Sequence, residues 1–126
     1  MMFLRLCKQS DGATAVEFGL LAPLFFAALF GVINCGMLLW TQLGLQHATE
    51  TAARCASVNA GICNSTAAIQ SYAAHAALGL NIPPSTFTVT TPGCGTQVTA
   101  SYDFAIIARF FGTPSITLSA RACFPK

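Results

Sequence analysis

At 126 residues the chain has room for one modest domain, and its 8% charged and 54% hydrophobic residues are unusual for a plain soluble protein. Its net charge of +2 is spread thinly and forms no basic patch, which leaves nucleic-acid binding without support. The only local excess of positive charge, Arg5 and Lys8, lies just before a long apolar run.

That apolar run, Phe18 to Trp40, predicts a membrane-spanning helix. Its 23 residues carry no charged side chain and would extend about 34 Å as an α-helix, enough for a hydrocarbon core of about 30 Å. Trp40 suits the headgroup interface, and the basic residues before the run favour a cytoplasmic N-terminus. We therefore expect a single-pass anchor whose C-terminal domain lies outside the cytoplasm.

Three other interpretations of the run are weaker. A domain of this size could not cover such a helix on all sides, which argues against a buried globular helix. A removable signal peptide would have a shorter apolar core of about 7–15 residues. A lipoprotein signal would not place Asn34 directly before Cys35. A retained anchor fits the run best.

Beyond Trp40 the same helix is predicted to continue as an amphipathic segment. Its stripe of small and apolar side chains recurs at three- and four-residue steps: Leu38, Thr41, Leu45, Ala48, Ala52, Cys55 and Ala56. Glu50 precedes Arg54 by four residues, a spacing that favours an ion pair on the helix surface. Asn59 and Gly61 predict its end.

A second, shorter helix follows. Ser65 or Thr66 can cap its N-terminus, and Gly79 with the two prolines at 83 and 84 ends it. Its apolar face consists of Ile69, Tyr72, Ala73, Ala76 and Leu80.

The remaining sequence alternates with a period of two and predicts three strands. The alternating stretches are "STFTVTT", "TQVTASYDFAII" and "SITLSARACF", separated by turn residues at 92–95 and 112–114. Together with the helices they predict an α+β fold: a long N-terminal helix, half membrane-spanning and half amphipathic, then a short helix and a three-stranded antiparallel sheet. On the polar face of the sheet we expect Asp103 and Arg121 to form a cross-strand ion pair.

Four of the six cysteines lie beyond the membrane helix, on an oxidising side where disulfides form: Cys55, Cys63, Cys94 and Cys123. Four cysteines allow three pairings. Closeness in sequence and the common end of a meander favour Cys55–Cys63 and Cys94–Cys123. Such bonds would stabilise a small domain.

Catalytic and metal-binding interpretations have little support. The sequence has no Cys-x-x-Cys pair, no glycine-rich phosphate loop and no nucleophile elbow, and a Cys63–His75 dyad is less probable than disulfide formation. We therefore expect no enzyme activity, metal, cofactor or small-molecule substrate. Arg109, Phe110 and Phe111 stand beside a turn, where they either fill the core or form a contact for a partner.

The stretches "DGATAVEFGLLAPLFF" and "GVINCGMLLWTQLGLQHATETAARCA" resemble the TadE-like pseudopilins of bacterial tight-adherence (Tad/Flp) pilus systems. The resemblance covers about residues 10–56. It implies cleavage by a prepilin peptidase after Gly12, a mature N-terminus at Ala13, and Glu17 with Phe18 as the acidic-aromatic pair used in processing and assembly. Pro23 matches a proline common in the family's apolar run, and Ala52-Ala53-Arg54 matches its usual helix end.

The resemblance therefore implies a minor pseudopilin that primes or caps assembly of the type IVb Tad/Flp pilus, in adhesion and biofilm formation. Its expected partners are the prepilin peptidase, other Tad pilins and pseudopilins, the assembly platform and the inner membrane. The implied parts are a cytoplasmic leader, 1–12, a transmembrane helix, 13–40, and a periplasmic head, 41–126. The alternatives are a type II secretion pseudopilin and an uncleaved signal-anchored periplasmic domain with binding activity.

Overall fold

A computed structural model describes residues 11–105, 112 and 115–125. Its helices and strands are α1 (Asp11–Val58), α2 (Thr66–His75), a short 3-10 helix (Pro84–Thr86), β1 (Phe87–Thr90), β2 (Thr96–Phe104) and β3 (Ile116–Phe124). This order confirms the predicted α+β fold with one long helix, one short helix and a three-stranded antiparallel sheet. The chain divides into two compact units after Gly36, and each is described by itself.

The first unit is the N-terminal part of α1. Its large apolar side chains are exposed, and the most hydrophobic window of the helix has none of its residues buried. The helix continues through Pro23. Asn34, a polar residue in this apolar part, donates its side-chain N–H to the carbonyl of Phe30 at 2.8 Å. That bond satisfies the amide within its own helix.

The second unit, called the head from here on, begins at Met37. The C-terminal part of α1 packs into it along the predicted stripe, where Leu45, Ala48 and Ala52 are fully buried. Gly44 and Ala53 extend the buried face beyond the prediction. The alanines and the glycine allow close packing because they place little side chain between the helix and its neighbours.

Helix α2 begins at the predicted cap. Ser65 has an extended backbone, and its hydroxyl accepts a hydrogen bond from the backbone N–H of Ala68 at 3.2 Å. Ile69 and Ala73 are buried as expected, whereas Tyr72 is exposed. Ala77, just beyond the helix, is fully buried instead. The apolar face is therefore turned slightly from the one read off the sequence.

The sheet has the order β1-β2-β3, with antiparallel pairs throughout. Alternate residues of β2 are buried, including Val98, Ala100 and Phe104, which is the predicted alternation. Phe87 on β1 is the largest fully buried side chain described. The ends of β3, Ile116 and Phe124, are exposed although both were expected on the apolar face.

Side chains of both helices hold the sheet in place. Gln42 of α1 donates to the carbonyl of Ser119 at 2.9 Å. The Ser57 hydroxyl lies between two acceptors, the Ala53 carbonyl of its own helix at 3.2 Å and the Phe124 carbonyl at 3.4 Å. On the other edge of the sheet, Gln70 of α2 donates to the carbonyl of Phe87 at 2.6 Å. These contacts connect the two helices to the two edge strands, β1 and β3.

The predicted ion pair between Asp103 and Arg121 is wrong. The register places Asp103 opposite Thr117, whose hydroxyl donates to the Asp103 carboxylate at 2.6 Å, and places Arg121 opposite Thr99. The two charged residues are thus four register positions apart, about 13 Å along a strand. Sequence alternation identified their common face correctly but could not define the register.

Candidate functional site

The residues with an expected role in processing lie at the beginning of α1. Gly12 and Ala13 lie in the first turn of α1 that the structure describes, which begins at Asp11. Both residues are exposed. The peptide bond between them therefore lies within the first described turn of the helix.

Glu17 follows one turn later and is also exposed. Because it is four residues after Ala13, its side chain lies on the same face of the helix, about 6 Å further along the axis. It is the only charged residue between Asp11 and Glu50. Its carboxylate therefore stands close to the positive end of the helix dipole, where a negative charge is stabilised.

The neighbouring apolar residues form an uncovered surface. Phe18 is 73% exposed, and Leu20, Leu24 and Phe25 are exposed to similar degrees. Pro23 is exposed as well, and a proline within a helix leaves the carbonyl four residues earlier without its usual donor. Such a long apolar helix, close to the N-terminus, is compatible with a single-pass membrane anchor.

The head contains two disulfides, and they differ in environment. Cys55 and Cys63 are bonded with their Cα atoms 5.9 Å apart, and both side chains are buried. Cys94 and Cys123 are bonded across 6.4 Å, and here Cys94 is exposed and Cys123 half-buried. The structure thus contains the pairing that the sequence favours. In the part of the chain that the structure describes, Cys35 is the one free cysteine, and it is exposed.

A groove between α1 and the end of β3 was missed by the sequence analysis. It has a volume of about 500 Å³ and is lined on one side by a helical row that includes His47, Glu50 and Arg54, and on the other by β3 from Arg121 to Phe124. Three charged side chains line the groove: Glu50, Arg54 and Arg121. None of them has a hydrogen-bond or ion-pair partner among the described residues. The expected Glu50–Arg54 ion pair is therefore not formed.

The spacing of His47, Glu50 and Arg54 could have indicated one polar face of α1. Nothing in the sequence predicted that Arg121 of β3 would lie opposite this face and complete the groove. The expected contact residues Arg109, Phe110 and Phe111 lie outside the described residues. Within the described ranges, no group of three or more His, Cys, Asp or Glu side chains could hold a metal ion.

Comparison with known proteins supports the resemblance read from the sequence. A family model described as "TadE-like protein" matches residues 12–54, about a third of the chain. This segment of the chain is therefore similar to TadE-like proteins. It covers the N-terminal apolar part of α1 and most of the helix that enters the head. Searches of curated proteins and of solved structures gave no match.

Proposed function

We propose that the protein is a minor pseudopilin of the Tad pilus system, cut by a prepilin peptidase between Gly12 and Ala13, and that it primes or caps pilus assembly. One observation carries the proposal: a single carboxylate, Glu17, stands at the start of an uncovered apolar helix inside the TadE-like segment. In this proposal residues 1–12 are a cytoplasmic leader, 13–40 cross the inner membrane, and 41–126 form a periplasmic head.

The position of the proposed cut is chemically suitable. A glycine in a helix is about 1 kcal/mol less favourable than an alanine, so Gly12 weakens the first described turn of α1. A peptidase needs its substrate locally unwound, and this turn can unwind at low cost. The rest of α1 then stays folded as the anchor.

Cleavage also explains the position of Glu17. A carboxylate near the centre of a bilayer costs roughly 2.5–3.5 kcal/mol, and Glu17 would enter the membrane next to Phe18. The cut creates a positive α-amino group on Ala13 at the positive end of the helix dipole, where a cation is unfavourable. Each group therefore needs the other. We propose that the carboxylate of one subunit neutralises the amine of a neighbouring subunit, which fixes their relative position.

N-terminal sequencing of the protein from membranes, with and without the prepilin peptidase, tests the cut. We expect a chain beginning at Ala13 only when the peptidase is present. Gly12→Val should prevent the cut, whereas Gly19→Val, the same change in an open part of the same helix, should leave it intact. A chain that begins at Met1 in both membranes would refute processing and favour an uncleaved anchor.

Glu17→Gln tests assembly separately from processing, because it removes the charge and keeps the shape. We expect normal cleavage and at least a tenfold loss of assembled pili, counted by electron microscopy. Glu17→Asp is the matched control, since it keeps a carboxylate at the same exposed position of the helix. Normal piliation with Glu17→Gln would remove the assembly role of this carboxylate.

A further inference from the structure

The groove between α1 and β3 concentrates the charge of the head. Of the four charged side chains that the structure describes in the head, three line this groove: Glu50, Arg54 and Arg121. The fourth, Asp103, does not. With His47 neutral, the groove carries two guanidinium groups against one carboxylate, a net positive charge.

The groove is also held open by the fold. Its walls are joined at one end by the hydrogen bond from Gln42 to Ser119, and they approach each other at the other end, where the Ser57 hydroxyl is 3.4 Å from the Phe124 carbonyl. Between these contacts the helix and the strand stay apart, and the guanidinium groups of Arg54 and Arg121 have no partner among the described residues. A preformed positive groove with unpaired guanidinium groups favours a carboxylate, which it can bind through paired hydrogen bonds.

The complementary charge is present on the same head. Asp103 is exposed on the outer face of the sheet, and one of its carboxylate oxygens accepts the hydroxyl of Thr117 while the other has no partner in the described residues. Within one chain it cannot reach the groove, because the register separates it from Arg121 by about 13 Å. The acid and the guanidinium groups thus lie towards opposite ends of the sheet.

We propose that this groove, lined by Arg54 and Arg121, receives Asp103 of a second copy of the chain. The proposal rests on the proposed function, since it adds a contact between heads to the contact between N-terminal helices. A contact that joins two different surfaces of identical subunits forms a ring when the rotation between subunits closes, and otherwise repeats along an open fibre. Exposed ion pairs are individually weak, so this contact selects the orientation and the partner rather than driving association.

Carbodiimide cross-linking tests the contact, because it joins a carboxylate and an amine only when they touch. Arg121→Lys supplies the amine and keeps the charge. Full-length protein would be prepared in ¹⁴N and ¹⁵N forms, mixed in liposomes, cross-linked and digested. We expect a peptide pair that joins position 103 of one isotope to position 121 of the other, and we expect Asp103→Asn to abolish it.

Charge reversal gives an independent measurement. Asp103→Arg and Arg121→Asp should each reduce co-purification of two differently tagged copies by several-fold, and the chain with both changes should recover it. Three results would each overturn the proposal. The first is that cross-links between positions 103 and 121 never join the two isotopes, and the second is that the groove is cross-linked to another protein instead. The third is that the double variant does not recover association. The intact mass of the same samples reports the cut before Ala13, so a processed chain without the mixed cross-link refutes this contact and leaves the proposed function standing.

Discussion

The disulfide that contributes more to the stability of the head should be the one that a reductant breaks first. Without denaturant, a dithiol reagent should reduce Cys94–Cys123 first, because Cys94 is exposed and Cys123 half-buried. Cys55 and Cys63 are only 9% and 5% exposed, so a reagent reaches their sulfur atoms only when the head opens locally. We expect a difference in rate of at least tenfold.

The free energies follow from the loops that the bonds close. The separations of 8 and 29 residues correspond to about 2.5 kcal/mol for Cys55–Cys63 and about 3.6 kcal/mol for Cys94–Cys123 in the loop-entropy model. The more accessible bond is therefore the more stabilising one. Folded domains are typically stable by about 5–15 kcal/mol. Reduction of Cys94–Cys123, which can begin in the folded state, would therefore remove a large share of the free energy of unfolding of the head.

The assay is alkylation after timed reduction of the full-length protein in detergent, with the modified cysteines identified by mass spectrometry. Thermal unfolding of the two paired Cys→Ala variants then gives the stability order. Equal reduction rates, or earlier reduction of Cys55–Cys63, would refute the argument from burial. A larger loss of stability in the Cys55→Ala/Cys63→Ala protein would show that packing around the buried bond outweighs the loop entropy.

Three further substitutions test the packing of the head. Phe87→Ala should lower the free energy of unfolding by about 3–5 kcal/mol because Phe87 is fully buried, whereas Phe124→Ala, at 36% exposed, should cost much less in the same urea titration. Ser65→Ala should cost about 1 kcal/mol and speed hydrogen exchange in the first turn of α2, while exposed Ser71→Ala should not. Gly95→Ala should reduce the yield of the Cys94–Cys123 bond, measured by thiol titration, because Gly95 has φ +122 and an added Cβ would collide with the Phe124 carbonyl. Gly93→Ala, where the added atom meets open space, is its control, and equal yields in the two variants would contradict the steric argument.

The sequence predicted most of the fold because its signals were periodic and local. The helical stripe from Leu38 to Ala56, the Ser65 cap and the alternation in β2 each depend on residues close together in the chain. The exposure of Ile116 and Phe124 at the ends of β3 could not be predicted from the sequence, because it depends on how far the helices cover the sheet. Alternation tells which face a side chain is on and not whether that face is covered at each position.

The candidate sites divide in the same way. Gly12, Glu17 and Pro23 could be proposed from the sequence because their meaning lies in their order along one helix. The groove could not be predicted from the sequence. Its existence depends on the distance between α1 and β3 and on the register that separates Arg121 from Asp103. From the sequence we expected one ion pair between Glu50 and Arg54 and another between Asp103 and Arg121. Neither ion pair is formed in the structure.

The composition of the core explains why this head depends on disulfides. Seven of the sixteen buried hydrophobic residues that the structure describes are alanines, which suit close packing of α1 and α2 but bury little apolar surface each. Among the fully buried side chains of the described residues, only Phe87 is a large aromatic one. A small head with such a core gains little from the hydrophobic effect, so two covalent links that restrict the unfolded chain supply stability that side-chain burial does not. The same small residues that let a long helix lie close to its sheet therefore increase the share of stability that the two disulfides supply.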